Sequence, residues 1–366
     1  MTELYGTIKD ALTTSDDAAI ATGISVKARL STLNGTPHLL PPTYADAPQK
    51  HNMTPPDERG ICAWVSIDSP ASFANRIEER LVRANLGLDP LRVRVAGEQL
   101  STMQMPHRSF DAILRDSSMI GTPFRKTEIG KAIIHASPAN AGDLLRYDPA
   151  MLLLGGWDST GLGDNRGKER KWPAALSVEI YGLDARPVNR AGGRLDPLGI
   201  TLDAGPIIRD AGSYRVPTEG ESLPDGVATL RPSEINHGNI APTLAPKGVL
   251  VEQIQLAGAL SLSRLRRYRF GKDETYDLAA RTALALMGIY GIAAVIEDGL
   301  DLRRDCELVA DEVSWTIRGT GFQTPLTITA SAALAALEEA LGQIELAEPI
   351  CFDAGPNLEQ LVARSR

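Results

Sequence analysis

Residues 68–81 read DSPASFANRIEERL, and this stretch predicts an amphipathic helix that follows a strand. Ser69 suits the N-cap, because its hydroxyl accepts from the free backbone N–H groups of the first turn. Pro70 suits the first helical position, where an N–H group would have no partner anyway. Apolar residues recur every four positions and share one face, namely Phe73, Ile77 and Leu81. The helix therefore has a face for a core.

A second stripe of this helix is polar. It comprises Ser72, Arg76, Glu79 and Arg83, with Asn75 at its flank. The plain interpretation is a surface stripe in contact with water. The alternative is a face that binds a phosphate backbone. This helix alone does not distinguish the two interpretations, and other parts of the sequence are needed.

The overall charge argues against nucleic acid if it is taken alone. The chain has 366 residues and a formal net charge of -8, whereas phosphate neutralisation needs Lys and Arg. A binding groove is local, however, so what matters is whether the basic residues cluster. The length predicts two ordinary domains, or one core with large insertions.

The cysteines and the N-terminal residues predict a cytoplasmic protein. Cys62, Cys306 and Cys351 are scattered, and their spacing fits neither a metal site nor a disulfide framework. A reducing compartment fits best. Residues 1–21 lack the apolar segment of a secretory signal, and no stretch of about 18 consecutive apolar residues predicts a membrane span.

Alternating apolar and polar residues predict strands, and one of them has a basic face. In residues 24–33, the apolar side chains point one way while Lys27 and Arg29 point the other. Further strands are predicted at 61–67, 91–96, 176–183 and 306–318. Helices are predicted at 128–136, 275–296 and 330–344. Strands that alternate with helices favour an α+β sandwich.

The distribution of Gly, Pro and Asp predicts a division into three parts. Residues 184–248 are rich in these residue types and read as a long insertion with extended hairpins. We therefore expect a first part at 1–183, a long extended insertion at 184–248 and a last part at 249–366.

The most basic run lies near residue 265. Four arginines are interleaved there with one leucine and two aromatic residues. The arginines are Arg264, Arg266, Arg267 and Arg269, and the others are Leu265, Tyr268 and Phe270. Guanidinium forks bind phosphate oxygens, and an aromatic ring here would stack on a base. Alternatively, Leu265, Tyr268 and Phe270 are core and the arginines pair with neighbouring acids.

A glycine-rich loop is a second candidate for phosphate binding. Residues 155–172 combine flexible glycines with Arg166, Lys168, Arg170 and Lys171. The loop is not a P-loop, because Lys168 is followed by Glu169 instead of Ser or Thr. A nucleotide hydrolase is therefore not expected.

Catalytic motifs are weak. His107 and Asp111 are four residues apart, which would make them neighbours on a helix and an acid/base pair. A helix-start histidine with a satisfied aspartate explains the same spacing without catalysis. The other histidines form no metal-ligand pattern, so we expect no metal and no cofactor.

Several short motifs, taken in order, resemble a known family. They are Pro41-Pro42-Thr43-Tyr44; Asp68-Ser69 with Ser72, Asn75-Arg76 and Glu79; Pro106-His107-Arg108 with Asp111-Ala112 and Arg115-Asp116; Phe124-Arg125; Leu153-Leu154-Gly155 with Trp157-Asp158-Ser159; Ser177 with Glu179-Ile180 and Gly182; and Leu260-Ser261-Leu262 to Phe270. This order resembles the Csb-one (GSU-type) family, the Cas-seven-type RAMP backbone subunit of type I-U/I-G CRISPR effector complexes.

The resemblance implies a fold and a set of partners. The fold would be a modified RRM-like (ferredoxin-like) palm with long insertions that form a finger and a thumb. Copies would stack along the spacer of a CRISPR RNA and present its bases to the target DNA strand. The partners would be adjacent copies, other Cascade subunits (Cas-five-type, Cas-six-type and a large subunit) and a recruited helicase-nuclease. The subunit itself would not be an enzyme.

The residues and the resemblance together give a set of candidate RNA-binding residues: Lys27, Arg29, Ser72, Asn75, Arg76, His107, Arg108, Arg125, Trp157, Ser159, Arg166, Lys168, Arg264, Arg266, Arg267 and Arg269. Two alternatives stay open. One is a metal-independent endoribonuclease that processes precursor CRISPR RNA with His107 as general acid/base. The other is a purely structural subunit that contacts only other proteins.

Overall fold

A computed structural model describes residues 2–14, 20–159, 170–201, 204–224 and 226–365. Over these residues the chain is mixed α+β, as predicted. The strands are β1 (Ala21–Thr32), β2 (His38–Leu39), β3 (Cys62–Asp68), β4 (Leu91–Val95), β5 (Glu98–Ser101), β6 (Ser117–Met119), β7 (Thr122–Pro123), β8 (Gly156–Asp158), β9 (Arg170–Trp172), β10 (Leu176–Arg194), β11 (Ile208–Asp210), β12 (Ser213–Arg215), β13 (Ile240–Leu250), β14 (Gln253–Ser261), β15 (Leu300–Arg303), β16 (Cys306–Gly319), β17 (Phe322–Leu326) and β18 (Ile350–Ala354). The helices are α1 (Glu3–Leu12), α2 (Pro70–Ala84), α3 (Ala112–Arg115), α4 (Glu128–His135), α5 (Gly142–Tyr147), α6 (Pro149–Leu154), α7 (Leu262–Leu265), α8 (Glu274–Glu297), α9 (Ala330–Leu341) and α10 (Pro356–Ser365).

A curled antiparallel sheet of nine strands organises the molecule. Its order is β15-β16-β1-β14-β10-β13-β2, with β17 paired to β16 and β3 paired to β10. At the centre, β1 lies between β14 and β16, so that Lys27 is opposite Ala257 on one side and Ser314 on the other. A smaller sheet, β5-β4-β18-β6-β7, joins the C-terminal strand to the segment that follows α2.

The long strand β10 extends beyond the body, and we call the described residues of the predicted insertion, 184–201, 204–224 and 226–248, the arm. Its first half pairs with β14, and its second half pairs with β13, which returns from the far end of the arm. The predicted strand at 176–183 is therefore the beginning of a longer one. The short hairpin β11–β12 lies within the arm.

Two helices form the centre of the core. Helix α8 is buried along most of its length and packs against α2. The contact is close, because a Cβ atom added at Gly291 would lie 2.5 Å from Ile77 Cγ2. Helix α2 begins as predicted, with the Ser69 hydroxyl accepting from the Ser72 backbone N–H at 3.3 Å. Its apolar face, Phe73, Ile77 and Leu81, is buried.

Helix α8 is also, among the described residues, the one helix long and apolar enough to cross a membrane. Of its most apolar 18-residue window, 78% is buried inside the protein. Core helices of folded domains have this same character, because a helix surrounded by other elements is apolar on every side.

The contact between α2 and α8 predicts a large effect of Ile77→Ala. Ile77 is only 1% exposed, and truncation would leave a cavity against Gly291. We expect the free energy of unfolding, measured with urea, to fall by about 2–5 kcal/mol. Asn75→Ala, at an exposed position of the same helix, should change it by less than about 0.5 kcal/mol. Equal effects of the two variants would contradict the packing described.

Candidate nucleic-acid interface

The central strands of the large sheet bury one face only. Along β1, Ile24, Val26, Ala28 and Leu30 are buried, whereas the residues between them are exposed or half-buried. Strands β14 and β10 show the same alternation. We call the outward side of β10, β14, β1 and β16 the open face. Its side chains include Ser177, Glu179, Tyr181, Gln253, Gln255, Ala257, Ala259, Ser25, Lys27, Arg29, Glu312, Ser314 and Thr316.

The strand register arranges these side chains in rows across the open face. One row contains Glu179, Ala257, Lys27 and Ser314, and the next contains Tyr181, Gln255, Arg29 and Glu312. Neighbouring strands lie about 4.8 Å apart, so each row is a nearly continuous polar strip. The Tyr181 hydroxyl donates to Gln255 Oε1 at 2.9 Å. The surface is thus polar, with small side chains such as Ala257 and Ser314 next to its two cations.

The two predicted cations on β1 are both accessible. Lys27 is exposed and forms no side-chain hydrogen bond or ion pair with the described part of the chain. Arg29 lies 3.1 Å from Glu312, and both side chains are more than half exposed. Exposed ion pairs of this kind contribute little to the free energy of folding, so Arg29 can exchange Glu312 for another anion with little loss of stability.

A cavity of about 250 Å³ opens next to one end of the open face. Strand β14 ends at Ser261, which caps α7 by accepting from the Arg264 backbone N–H. The cavity, which we call the basic pocket, is lined by Ala136, Ser137, Pro138, Lys171, Trp172, Pro173, Arg264, Arg267 and Tyr268. Two arginines of the predicted run therefore face the same space as Lys171.

The other two arginines of the run bind the protein itself. Arg266 donates to the carbonyls of Leu12, at 3.1 Å, and Ala11, at 2.6 Å, and so completes the end of α1. Arg269 donates to the Arg266 carbonyl at 2.7 Å. Tyr268 and Phe270 are buried, which confirms that the aromatic residues of the run belong to the core and are not free to stack on a base.

Two predicted residues of α2 bind a buried carboxylate. Asp68 is fully buried, and its oxygens accept from Ser72 Oγ at 2.7 Å and from Arg76 Nε at 3.0 Å. Arg76 also donates to the carbonyls of Asp301 and Leu302, and Arg303 lies 3.5 Å from Asp68. The Arg76 guanidinium is thus used to join α2 to β15. Asn75, next to it, is exposed.

Arg108 is likewise held inside the protein. It is a buried residue in the left-handed backbone region, and its Nε lies 2.7 Å from Glu78 Oε1. Its Nη1 donates to the Gly155 carbonyl at 2.8 Å. The residue therefore ties α2 to the turn before β8. Neither Arg76 nor Arg108 offers a free guanidinium to a phosphate in this structure.

The predicted helical pair of His107 and Asp111 is wrong. His107 precedes a single 3₁₀ turn, and Asp111 caps α3, accepting from the Ile113 backbone N–H at 2.9 Å. The second Asp111 oxygen accepts from the His107 backbone N–H at 3.1 Å, so this carboxylate does not hold the imidazole. The imidazole packs edge-on against Trp157, with ring centres 5.6 Å apart.

The hairpin β8–β9 holds the remaining predicted residues. Trp157 is 37% exposed, and the Lys171 ammonium lies 5.3 Å from its ring centre. Arg125 donates to the buried Asp158 at 2.8 Å. Ser159 is exposed at the last described position of the hairpin. Arg166 and Lys168 lie outside the described residues.

Sequence reasoning missed part of this surface. In β14, outward-facing residues alternate with buried ones, and this alternation is visible in the sequence. The outward-facing residues are Gln253, Gln255, Ala257 and Ala259. Pro138 and Pro173 carry no such signal, because only the fold brings them close to Arg264 and Arg267. In the described residues, no group of three or more His, Cys, Asp or Glu side chains is placed to hold a metal ion.

The chain was compared with known proteins. The family model described as "CRISPR-associated protein GSU0053" matches residues 24–187, and over that stretch this confirms the resemblance predicted from the motifs. A solved structure described as "CRISPR RNA-guided surveillance complex, pre-nicking" is similar at 11% identity with a TM-score of 0.32, over 94% of this chain and 100% of that one. No curated protein matches.

The buried Glu78 predicts a pH-dependent stability. Burial raises the pKa of Glu78 to about 7, although Arg108 pulls it down. An unfolded glutamate titrates near 4.3, so between these values the folded state keeps a proton that the unfolded state loses. The stabilisation that protonated Glu78 gives the folded state is present below about pH 4.3 and is lost as pH rises towards 7.

The variant Glu78→Gln removes this titration. Between pH 5 and 7.5 the wild type should lose roughly 2 kcal/mol more than this variant in urea unfolding. Parallel pH profiles of the two proteins would contradict the assignment.

Proposed function

Residues 24–187 match the CRISPR-associated GSU0053 family, and on that premise we propose that the chain is a CRISPR RNA-binding backbone subunit of a type I-U/I-G surveillance complex. Copies would line the guide spacer and present it to the target DNA strand. The large sheet would serve as an RRM-like palm, and the arm as a thumb.

One observation carries this proposal, namely the open face. A polar sheet surface with small side chains and central cations can accept a single strand along its rows. Lys27 and Arg29 project from its middle, and neither is held by a buried acid. A guide has a different sequence in each complex, so its carrier has to contact phosphates and not base edges. Point charges on a polar sheet satisfy that requirement.

The arm supports contact between copies. Leu195, Leu198 and Leu244 are each more than 70% exposed, which is costly for apolar side chains unless something covers them. We propose that the neighbouring copy and its RNA lie there. The net charge of -8 fits such a row, since acidic surfaces of one copy can face basic surfaces of the next.

Charge reversal on the open face should remove RNA from the purified protein. The variant Lys27→Glu with Arg29→Glu places two negative charges where the proposal has phosphates. When the chain is produced with a guide RNA, we expect the 260/280 nm absorbance ratio of the purified protein to fall towards that of protein alone. Guide affinity should weaken at least about tenfold, equally for all spacer sequences.

Arg304→Glu provides a charge-reversal control, because its side chain is 93% exposed in the turn between β15 and β16. It changes the charge of one arginine in the same way but should keep the RNA. If the double variant retained RNA as the wild type does, the open face would not be the binding surface. A wild-type chain without any RNA would favour the purely structural alternative.

The subunit is proposed to bind RNA without cutting it. The endoribonuclease alternative uses His107 as general acid/base, but the Asp111 carboxylate orients the backbone of this residue and not its ring. We expect the purified wild type and His107→Ala to leave labelled precursor CRISPR RNA equally intact over hours. Cleavage by the wild type that His107→Ala abolishes would establish the alternative instead.

A further inference from the structure

The basic pocket contains two arginines that the protein does not use. Arg264 and Arg267 form no side-chain hydrogen bond or ion pair with the described part of the chain. Their neighbours differ: Arg266 donates to the carbonyls at the end of α1, and Arg269 donates to the Arg266 carbonyl and lies 3.6 Å from the buried Asp277. Lys171 adds a third cation to the same lining. Together these groups make a local positive site on an acidic protein.

The wall behind these cations is apolar and fixed. The Trp172 indole N–H donates to the Tyr268 hydroxyl at 3.3 Å, and that hydroxyl donates to the Leu152 carbonyl at 3.1 Å. The polar atoms of both rings are thus already used. Pro138 and Pro173, both exposed, complete an apolar rim. Ser137 is the one uncharged side chain of the lining with an unused hydroxyl in the described structure.

The size and the charge of the pocket fit a nucleotide better than a carboxylate. Two guanidinium forks offer more donors than one carboxylate can accept, whereas a phosphate has several oxygens for them. A volume of about 250 Å³ also exceeds what a phosphate alone would fill. The apolar rim provides the surface that a sugar and a base would cover.

We propose that the basic pocket holds one nucleotide of a bound RNA, with its phosphate on Arg264 and Arg267 and its nucleoside against Pro138 and Pro173. This rests on the proposed function. The site does not select the base, because the polar atoms of Trp172 and Tyr268 are already bonded and the Ser137 hydroxyl can donate or accept. Arg264 of the lining donates its backbone N–H to Ser261, the last residue of β14, so the pocket lies near the end of a strand that forms the open face.

The experiment titrates the full-length chain with four nucleoside 5′-monophosphates and with inorganic phosphate, using ligand-observed NMR. We expect the four nucleotides to bind within about threefold of one another, and phosphate to bind at least about tenfold more weakly. Arg264→Ala with Arg267→Ala should weaken nucleotide binding at least about tenfold. Arg304→Ala, at an exposed position outside both proposed sites, should leave it unchanged. Both arginines lie at the surface, and equal melting temperatures would show that the double variant is folded.

The inference would be overturned by a lack of nucleotide binding, by equal binding of phosphate and nucleotides, or by a strong preference for one base. A glutamate-rich peptide that competes as well as a nucleotide would also overturn it, in favour of a protein partner. A different result would contradict the proposed function. If the chain purified without RNA but still bound nucleotides through these arginines, the pocket would be a site for free nucleotides and the RNA assignment would be wrong. If it carried RNA and bound no nucleotide here, only the inference would fail.

Discussion

One-sided burial of the central sheet determines both the core and the surface of this protein. Alternation along β1 places Val26 and Ala28 under the sheet and Lys27 and Arg29 above it. The buried side is filled by helices, with α8 in the centre, and each buried aliphatic side chain contributes about 1.5–3 kcal/mol. A register shift of one residue would exchange the two sides. The packing that stabilises the fold therefore also fixes which residues can meet a ligand.

Buried carboxylates decide which arginines remain available. Asp68 holds Arg76, and Glu78 holds Arg108, each across elements that are distant in sequence. Loss of one partner from such a pair typically costs 3–5 kcal/mol, because a charge is left buried. These arginines are structural in this fold, and binding through them would require their ion pairs to break. Lys27, Arg264 and Arg267 have no such partner among the described residues, and the two proposed sites are built on them.

The parts of the fold that depend on local pattern could be predicted from the sequence. The alternation at Ile24–Leu30, the cap at Ser69 and the apolar run of α8 each determine an element within a few residues. The role of each arginine could not be predicted in this way. Arg264 and Arg266 look alike in sequence, but the end of α1 lies next to Arg266 alone, and only the tertiary fold shows this. The helical pairing of His107 with Asp111 was wrong for a related reason, since the Asp111 side chain caps the next helix and ends the turn before it.

The path of the bound RNA would show directly whether the open face binds the guide. The measurement is electron cryomicroscopy of the chain produced together with a guide RNA. We predict a row of copies with RNA density along the open face, within hydrogen-bond distance of Lys27 and Arg29. RNA density confined to the helical side of the sheet, or a particle without RNA, would contradict it.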